Sequence, residues 1–277
     1  MILTRRLLVS CCHAGGSLYT IARDGTVTRH LSDELRGVDI GDGLVFVANC
    51  QLGFQALDLR DFSTVSSFDF PGRDLHGISF DPKNGWLYAT CSASNTVVAF
   101  DVHRGWKVVA RQTFTEESNG HWINDILVLP DRILVSMWSL TNRIKGKNYH
   151  YDGGVVELNK KGLSWGKVLI SGAEVIHDVY LFNNEIYHCE SVKGHACCQG
   201  QPVANINGYA RGLAVDDECI YLGESQMRGT NLHQTMQWGG RRFVSNRGGI
   251  HIFNKKTAGY SWIDLPSPEV FDILLLD

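Results

Sequence analysis

Five polar residues stand at matched places in this sequence, each at the head of an apolar run: Arg36, His76, Asn124, His177 and Arg211. Each is followed by glycine or aspartate, as in His76-Gly77 and Asn124-Asp125. Two imidazoles and an amide, His76, His177 and Asn124, are a donor set for a divalent metal with an open coordination position. The set does not choose among Zn, Fe, Mn and Ca. The guanidiniums of Arg36 and Arg211 suit a carboxylate or phosphate, with Asn49 and Arg228 as further contacts to such an anion. Glu190 and Glu224 could complete a metal shell or act as general base, and His121 adds an acid–base group three residues before Asn124. Together these residues describe a metal-dependent lyase or hydrolase acting on a small anionic molecule.

The same residues admit quieter roles. A histidine at such a place also hydrogen-bonds backbone or ordered water. The arginines could pair structurally with Asp125, Asp178 and Asp272, and the two glutamates could be solvated or capping. Cys197 and Cys198 beside His195 suggest a metal or redox element, yet adjacent cysteines do not easily share one tetrahedral metal, so we read them as structural. Two other functions therefore stay open: a binding protein without turnover for an acidic metabolite, glycan or peptide, and a scaffold for protein contacts.

The elements that would position these groups follow from an internal repeat. Residues 35–40, 75–80, 123–128, 176–181 and 210–215 each read as a strand opened by the polar residue. A second apolar strand follows each of them, at 44–48, 86–90, 133–136, 186–189 and 220–223. A sixth unit, 270–275, stops at the end of the sequence, and its missing strands read as 7–10, 17–21 and 26–29. The spacings scatter around the roughly 40–50 residues that a four-stranded blade takes. The expectation is an all-β, six-bladed β-propeller, its ring closed by N-terminal strands pairing with the C-terminal strand, with a β-sandwich as the alternative. One domain over 1–277 would carry blades at about 36–72, 73–117, 118–172, 173–208, 209–267, and 268–277 with 1–33. In that fold the opening residues ring one mouth of a central channel, with Phe271 as sixth member. The long segments 139–152 and 226–247 would rise from the same face as lids.

Composition agrees with many short strands: 29 glycines against 6 prolines, and 44% apolar with 20% charged residues, which supports a real core. A formal charge of −3 gives no basic field, so no nucleic-acid partner is expected. No run approaches the roughly 20 apolar residues of a membrane span, and no membrane partner is expected. The start of the chain has Arg5-Arg6 and a short apolar run, which is briefer than the roughly 7–15 residues of a signal core and is read as a strand. The eight cysteines, with no CxxC pair, read as reduced and mostly buried thiols, which makes the cytoplasm the expected address. P-loop, GxGxxG, GxSxG and HExxH patterns are absent. The oligomeric state is left open.

Residues 209–215, 221–228 and 248–253, the run Glu269-Val270-Phe271-Asp272, the opening 8–19 and His121-Trp122-Ile123-Asn124-Asp125 resemble a bacterial family of six-bladed propellers. Its members form a domain of unknown function. The resemblance spans nearly the whole chain and implies the fold and its extent, not a reaction. More distantly, His-Gly and Asn-Asp at the starts of inner strands are similar to gluconolactonase/strictosidine-synthase-like propellers and to the peptide-amidating lyase. That similarity implies a metal at the channel mouth. The first pattern has Glu, Asn and Asp where this chain has His76 and His177. The second has three histidines, and Phe271 stands in one of those places.

Overall fold

The computed structural model describes residues 3–13, 15–49, 52–70, 74–116, 120–142, 152–226 and 247–276. These residues form antiparallel strands joined by turns and three short 3-10 turns. The chain divides into two compact units, residues 35–179 and residues 1–34 with 180–277.

The 35–179 unit contains three four-stranded meanders. The first holds β4 (Leu35–Gly41), β5 (Leu44–Asn49), β6 (Gly53–Asp58) and β7 (Thr64–Phe68). The second holds β8 (Leu75–Asp81), β9 (Trp86–Cys91), β10 (Thr96–Asp101) and β11 (Lys107–Thr113). The third holds β12 (Ile123–Val128), β13 (Arg132–Met137), β14 (Gly153–Asn159) and β15 (Trp165–Ala173). Their middle strands are apolar on both sides because each sheet is covered on both faces. Along β9, Leu87 and Ala89 join one core with Phe46, Phe54, Phe80, Phe100 and Trp106, while Tyr88 joins the next core with Ile126, Val135 and Val156. Alternation of side chains across the sheet makes that split. Each fully buried side chain of this size contributes roughly 1.5–3 kcal/mol.

A fourth meander is β16 (Ile176–Phe182), β17 (Glu185–Glu190), β18 (His195–Cys198) and β19 (Gln201–Asn205). The remaining strands are β1 (Arg6–Cys12), β2 (Ser17–Ile21), β3 (Val27–Ser32), β20 (Tyr209–Val215), β21 (Cys219–Ser225), β22 (Gly248–Asn254), β23 (Tyr260–Leu265) and β24 (Glu269–Leu276). They form one eight-stranded sheet ordered β23-β22-β21-β24-β1-β2-β3, with β20 on β21. The expected six-bladed closed ring is therefore corrected to four blades and one continuous, curled sheet. The physical reason lies at the start of β24. Ser225 pairs with Glu269, and the Gln226 amide donates to the Pro268 carbonyl at 2.7 Å, so the segments expected as fifth and sixth blades run into each other. Within this sheet β1 pairs with β24 from Arg6↔Leu276 to Cys12↔Glu269. Leu7, Val9 and Tyr19 pack with Tyr221, Ile250, Ile252 and Ile263, which is the signature of a sheet that curls on itself.

The polar opening residues share one local geometry. The register of β4 on β5 slips between Leu35 and Val38, that of β8 on β9 between Leu75 and Ile78, and that of β12 on β13 between Ile123 and Ile126. The slip of β20 on β21 lies between Ala210 and Leu213, and that of β1 on β24 skips Phe271. Arg36, His76, Asn124, Arg211 and Phe271 each sit in the bulge so formed, which re-aims a side chain out of the strand's alternation. Crowding explains the small residue that follows. A Cβ on Gly37 would lie 2.6 Å from the His76 carbonyl oxygen, and one on Gly77 would lie 2.7 Å from the Asp125 Cα.

Candidate functional site

In the 35–179 unit, the Arg36 Nη1 donates to Asp74 and to the Leu75 carbonyl at 2.8 Å, and it lies 2.9 Å from His76 Nδ1. His76 Nδ1 also lies 2.9 Å from the Ser92 hydroxyl, which itself donates to the Ile123 carbonyl. The Nδ1 face of His76 is thus committed to the protein, and Arg36 carries an internal counter-ion. Asn124 is buried, and its Nδ2 has no hydrogen-bond partner among the described residues. His177 is buried, with Nδ1 at 3.3 Å from the Val175 carbonyl and its ring edge-on to Trp138 at 5.4 Å. The residue two places before each of these groups (Asp74, Trp122 and Val175) has a positive φ, so one backbone turn delivers all three strands. His121 Nδ1 lies 2.8 Å from the Ser139 carbonyl, at the base of the 139–152 segment. Asn49 accepts from the Leu52 amide at 3.0 Å and so closes the turn after β5. Arg228 lies outside the described residues, as do 143–151 and 227–246 of the two expected lids.

In the other unit, Glu269 gathers a cluster at the start of β24. Cys12 Sγ donates to Glu269 Oε2 at 3.4 Å, His13 Nε2 lies 3.7 Å from it, and Arg211 Nη1 lies 3.5 Å from it. On its other side His13 Nδ1 faces Glu34 at 3.9 Å. A ligand atom from each of Cys12, His13 and Glu269 lies within 4.8 Å of the other two. Cys12 and Glu269 are buried, whereas the His13 side chain is 31% exposed, so the cluster is open on the imidazole side. The Arg211 guanidinium lies 5.1 Å from the Phe271 ring and 5.7 Å from the Tyr209 ring, which fixes its plane. His13 has φ 67°, in the turn that ends β1.

The two glutamates of the sequence reading are both engaged. Glu224 Oε2 lies 2.5 Å from His251 Nε2, whose Nδ1 lies 2.9 Å from the Tyr260 hydroxyl. Glu190 pairs with Lys193 at 2.5 Å. Besides Cys12, His13 and Glu269, a second set of three close metal-ligating atoms among the described residues is His188, Glu190 and Cys197. Neither set contains His76 or His177. Glu269 escaped the sequence reading because it stands two residues ahead of Phe271, outside the recurring position. The signal that could have found it is Cys12-His13 at the end of a strand expected to pair with the C-terminal strand. The described cysteines are free thiols. Burial pushes the Cys91 thiol up to about 12, and the Cys11 thiol is raised by burial and then by its neighbour Cys12. No described helix is long and apolar enough to cross a membrane.

No family model and no curated protein matches the chain. Solved structures do. A structure described as a nidogen/laminin complex aligns with a TM-score of 0.69 at 10% identity, over 97% of this chain and 97% of that one. A hypothetical selenium-binding protein from Sulfolobus tokodaii aligns with 0.59 at 12%, over 99% and 78%. Hydrazine synthase from Kuenenia stuttgartiensis aligns with 0.52 at 12%, over 90% and 90%. Identities this low carry the fold alone, and that fold is a β-propeller.

Proposed function

We propose that this propeller is a metal-dependent enzyme of hydrolase or lyase type acting on a small anionic molecule, and that its centre is the cluster around Glu269. The observation that carries the reading is the approach of Cys12, His13 and Glu269 ligand atoms to within 4.8 Å, two of the residues buried and one partly exposed. A thiolate, an imidazole and a carboxylate suit a borderline cation such as zinc, and three protein donors leave a position for water or substrate. Bound there, the metal supplies a Lewis acid or an activated water. Arg211 orients the anion: its Nη1 is shared with Glu269, and its face rests on Phe271 and Tyr209. Glu34, 3.9 Å from His13 Nδ1, places a negative charge beside the imidazole. A second reading, a binding propeller without turnover, keeps Arg211 as the contact to the anion and needs no activated water.

The test is elemental analysis and hydrolase screening on protein purified without a chelating tag. Stoichiometric metal that falls by one equivalent in Glu269→Gln and in His13→Ala, with loss of ester or lactone turnover, is the expected result. Arg211→Ala should leave the metal in place and raise KM for carboxylates. A metal content in Glu269→Gln equal to that of wild type overturns the assignment of the centre. Metal lost there with no turnover on any small acid favours the binding reading.

A further inference from the structure

Strands β17 and β18 form a hairpin through the 3-10 turn Ser191–Lys193, which ends at Gly194 with φ 69°. Side chains alternate along a strand, so His188 and Glu190 leave one face of β17 while Cys189 leaves the other. The register sets His188 opposite Cys197, which brings Cys197 to the His188 face. A ring nitrogen of His188, a carboxylate oxygen of Glu190 and Cys197 Sγ all lie within 4.8 Å of one another, and all three residues are buried. His188 has no exposed surface, and neither of its ring nitrogens has a hydrogen-bond partner among the described residues. An imidazole sealed from water with both nitrogens idle is costly, because each polar atom has given up its solvent bond for nothing.

We infer that His188, Glu190 and Cys197 form a buried binding site for a zinc-class divalent cation, separate from the cluster around Glu269. The cation supplies the partner that the imidazole lacks. The mixed nitrogen, sulfur and oxygen donors exclude calcium and magnesium, which take oxygen ligands. Lys193, 2.5 Å from Glu190, holds the carboxylate with a positive charge where the ion would otherwise do so. Burial, then the nearby Lys193, lowers the His188 imidazole to about 4, which keeps it neutral as a ligand must be. Burial also holds the Cys197 thiol up at about 12. Binding therefore forms one metal–sulfur bond, breaks one S–H bond and releases one proton to solvent, with no electron transferred. A site tying β17 to β18 at adjacent cross-strand positions would stiffen the hairpin that ends in Glu190.

The experiment is a titration of the chelator-stripped, untagged full chain with Co²⁺ and Zn²⁺. The Cys12→Ser variant, whose β17–β18 hairpin is untouched, is expected to keep one equivalent of Co²⁺ with a thiolate-to-cobalt absorption in the near ultraviolet. Adding Cys197→Ser should abolish that band, and His188→Gln should remove the equivalent. Lys193→Met, which removes the competing ammonium, should bind the ion more tightly than wild type. A Cys12→Ser protein that folds and shows no thiolate–cobalt band overturns the inference whether or not the other variants fold. So does a band that survives Cys197→Ser, or a Lys193→Met protein with weaker binding. Loss of the Glu269 centre alone leaves each of these outcomes unchanged.

Discussion

Asp39 shows what burial does to a single carboxyl in this fold. Its Oδ2 accepts from the Phe80 amide at 2.6 Å and Oδ1 from the Ile40 amide at 2.7 Å, which ties neighbouring inner strands together. Burial nevertheless outweighs those bonds and raises its pKa from 3.8 to about 6. The folded state therefore holds a proton between those values that the unfolded state has given up. Asp39 stabilises the fold below that window, and its contribution is lost as pH rises through it, by on the order of 3 kcal/mol. His188 works in the opposite sense. Its folded value near 4 lies below the ordinary 6.5, so its contribution is present above that window and lost as pH falls. We expect the urea midpoint of Asp39→Asn, measured on metal-free protein, to gain on wild type as pH goes from 5 to 7. Parallel curves for the two proteins over that range would show that Asp39 does not titrate there.

At the scale of the strand, the bulge is the device that sets the polar residues, and glycine is what lets it close. Gly77→Ala would put a Cβ 2.1 Å from Asp125 Oδ1 and 2.7 Å from its Cα, where backbone must move. Overpacking of this kind costs about 1–3 kcal/mol. Gly43→Ala, at φ +76° with nothing within 4 Å, meets only the left-handed backbone cost of about 1–2 kcal/mol. Chemical denaturation should rank Gly77→Ala as the more damaging, with the two converging if β8 and β12 can part freely. The recurring polar residue was legible in the sequence because a bulge holds Arg36, His76, Asn124 and Arg211 alike. Partners were not legible. The residue types offered Asp125, Asp178 and Asp272 as structural partners of the arginines, yet the contacts are Asp74, just ahead of β8, and Glu269, the first residue of β24. The same holds for Cys197: adjacent cysteines argued against a shared metal, whereas strand register hands Cys197 alone to His188.

For the molecule as a whole, the repeat counts inner strands and is silent on how sheets join. Six recurrences implied six blades. The single pairing of Ser225 with Glu269 fuses the last two into one sheet, and nothing in residue type announces a bond between two strand ends. That fusion makes β24 the strand on which the 1–34 and 180–277 segments both depend, since it pairs with β1 along its length and meets β21 at its start. Its Val270 and Ile273 are fully buried, in the core that holds Leu7, Val9 and Tyr221. The pairing joins segments far apart in the sequence, a closure that carries a large loop entropy cost. The 35–179 unit closes its three sheets from residues nearer in sequence. A chain ended after residue 267 should therefore expose β1 and β21 edges and lose order in 1–34 and 180–267, while 35–179 stays protected. Limited proteolysis read by mass spectrometry decides it. Cleavage concentrated in 1–34 and 180–267 is the expected pattern, and cuts spread evenly into 35–179 would mean that the two units fold only as one.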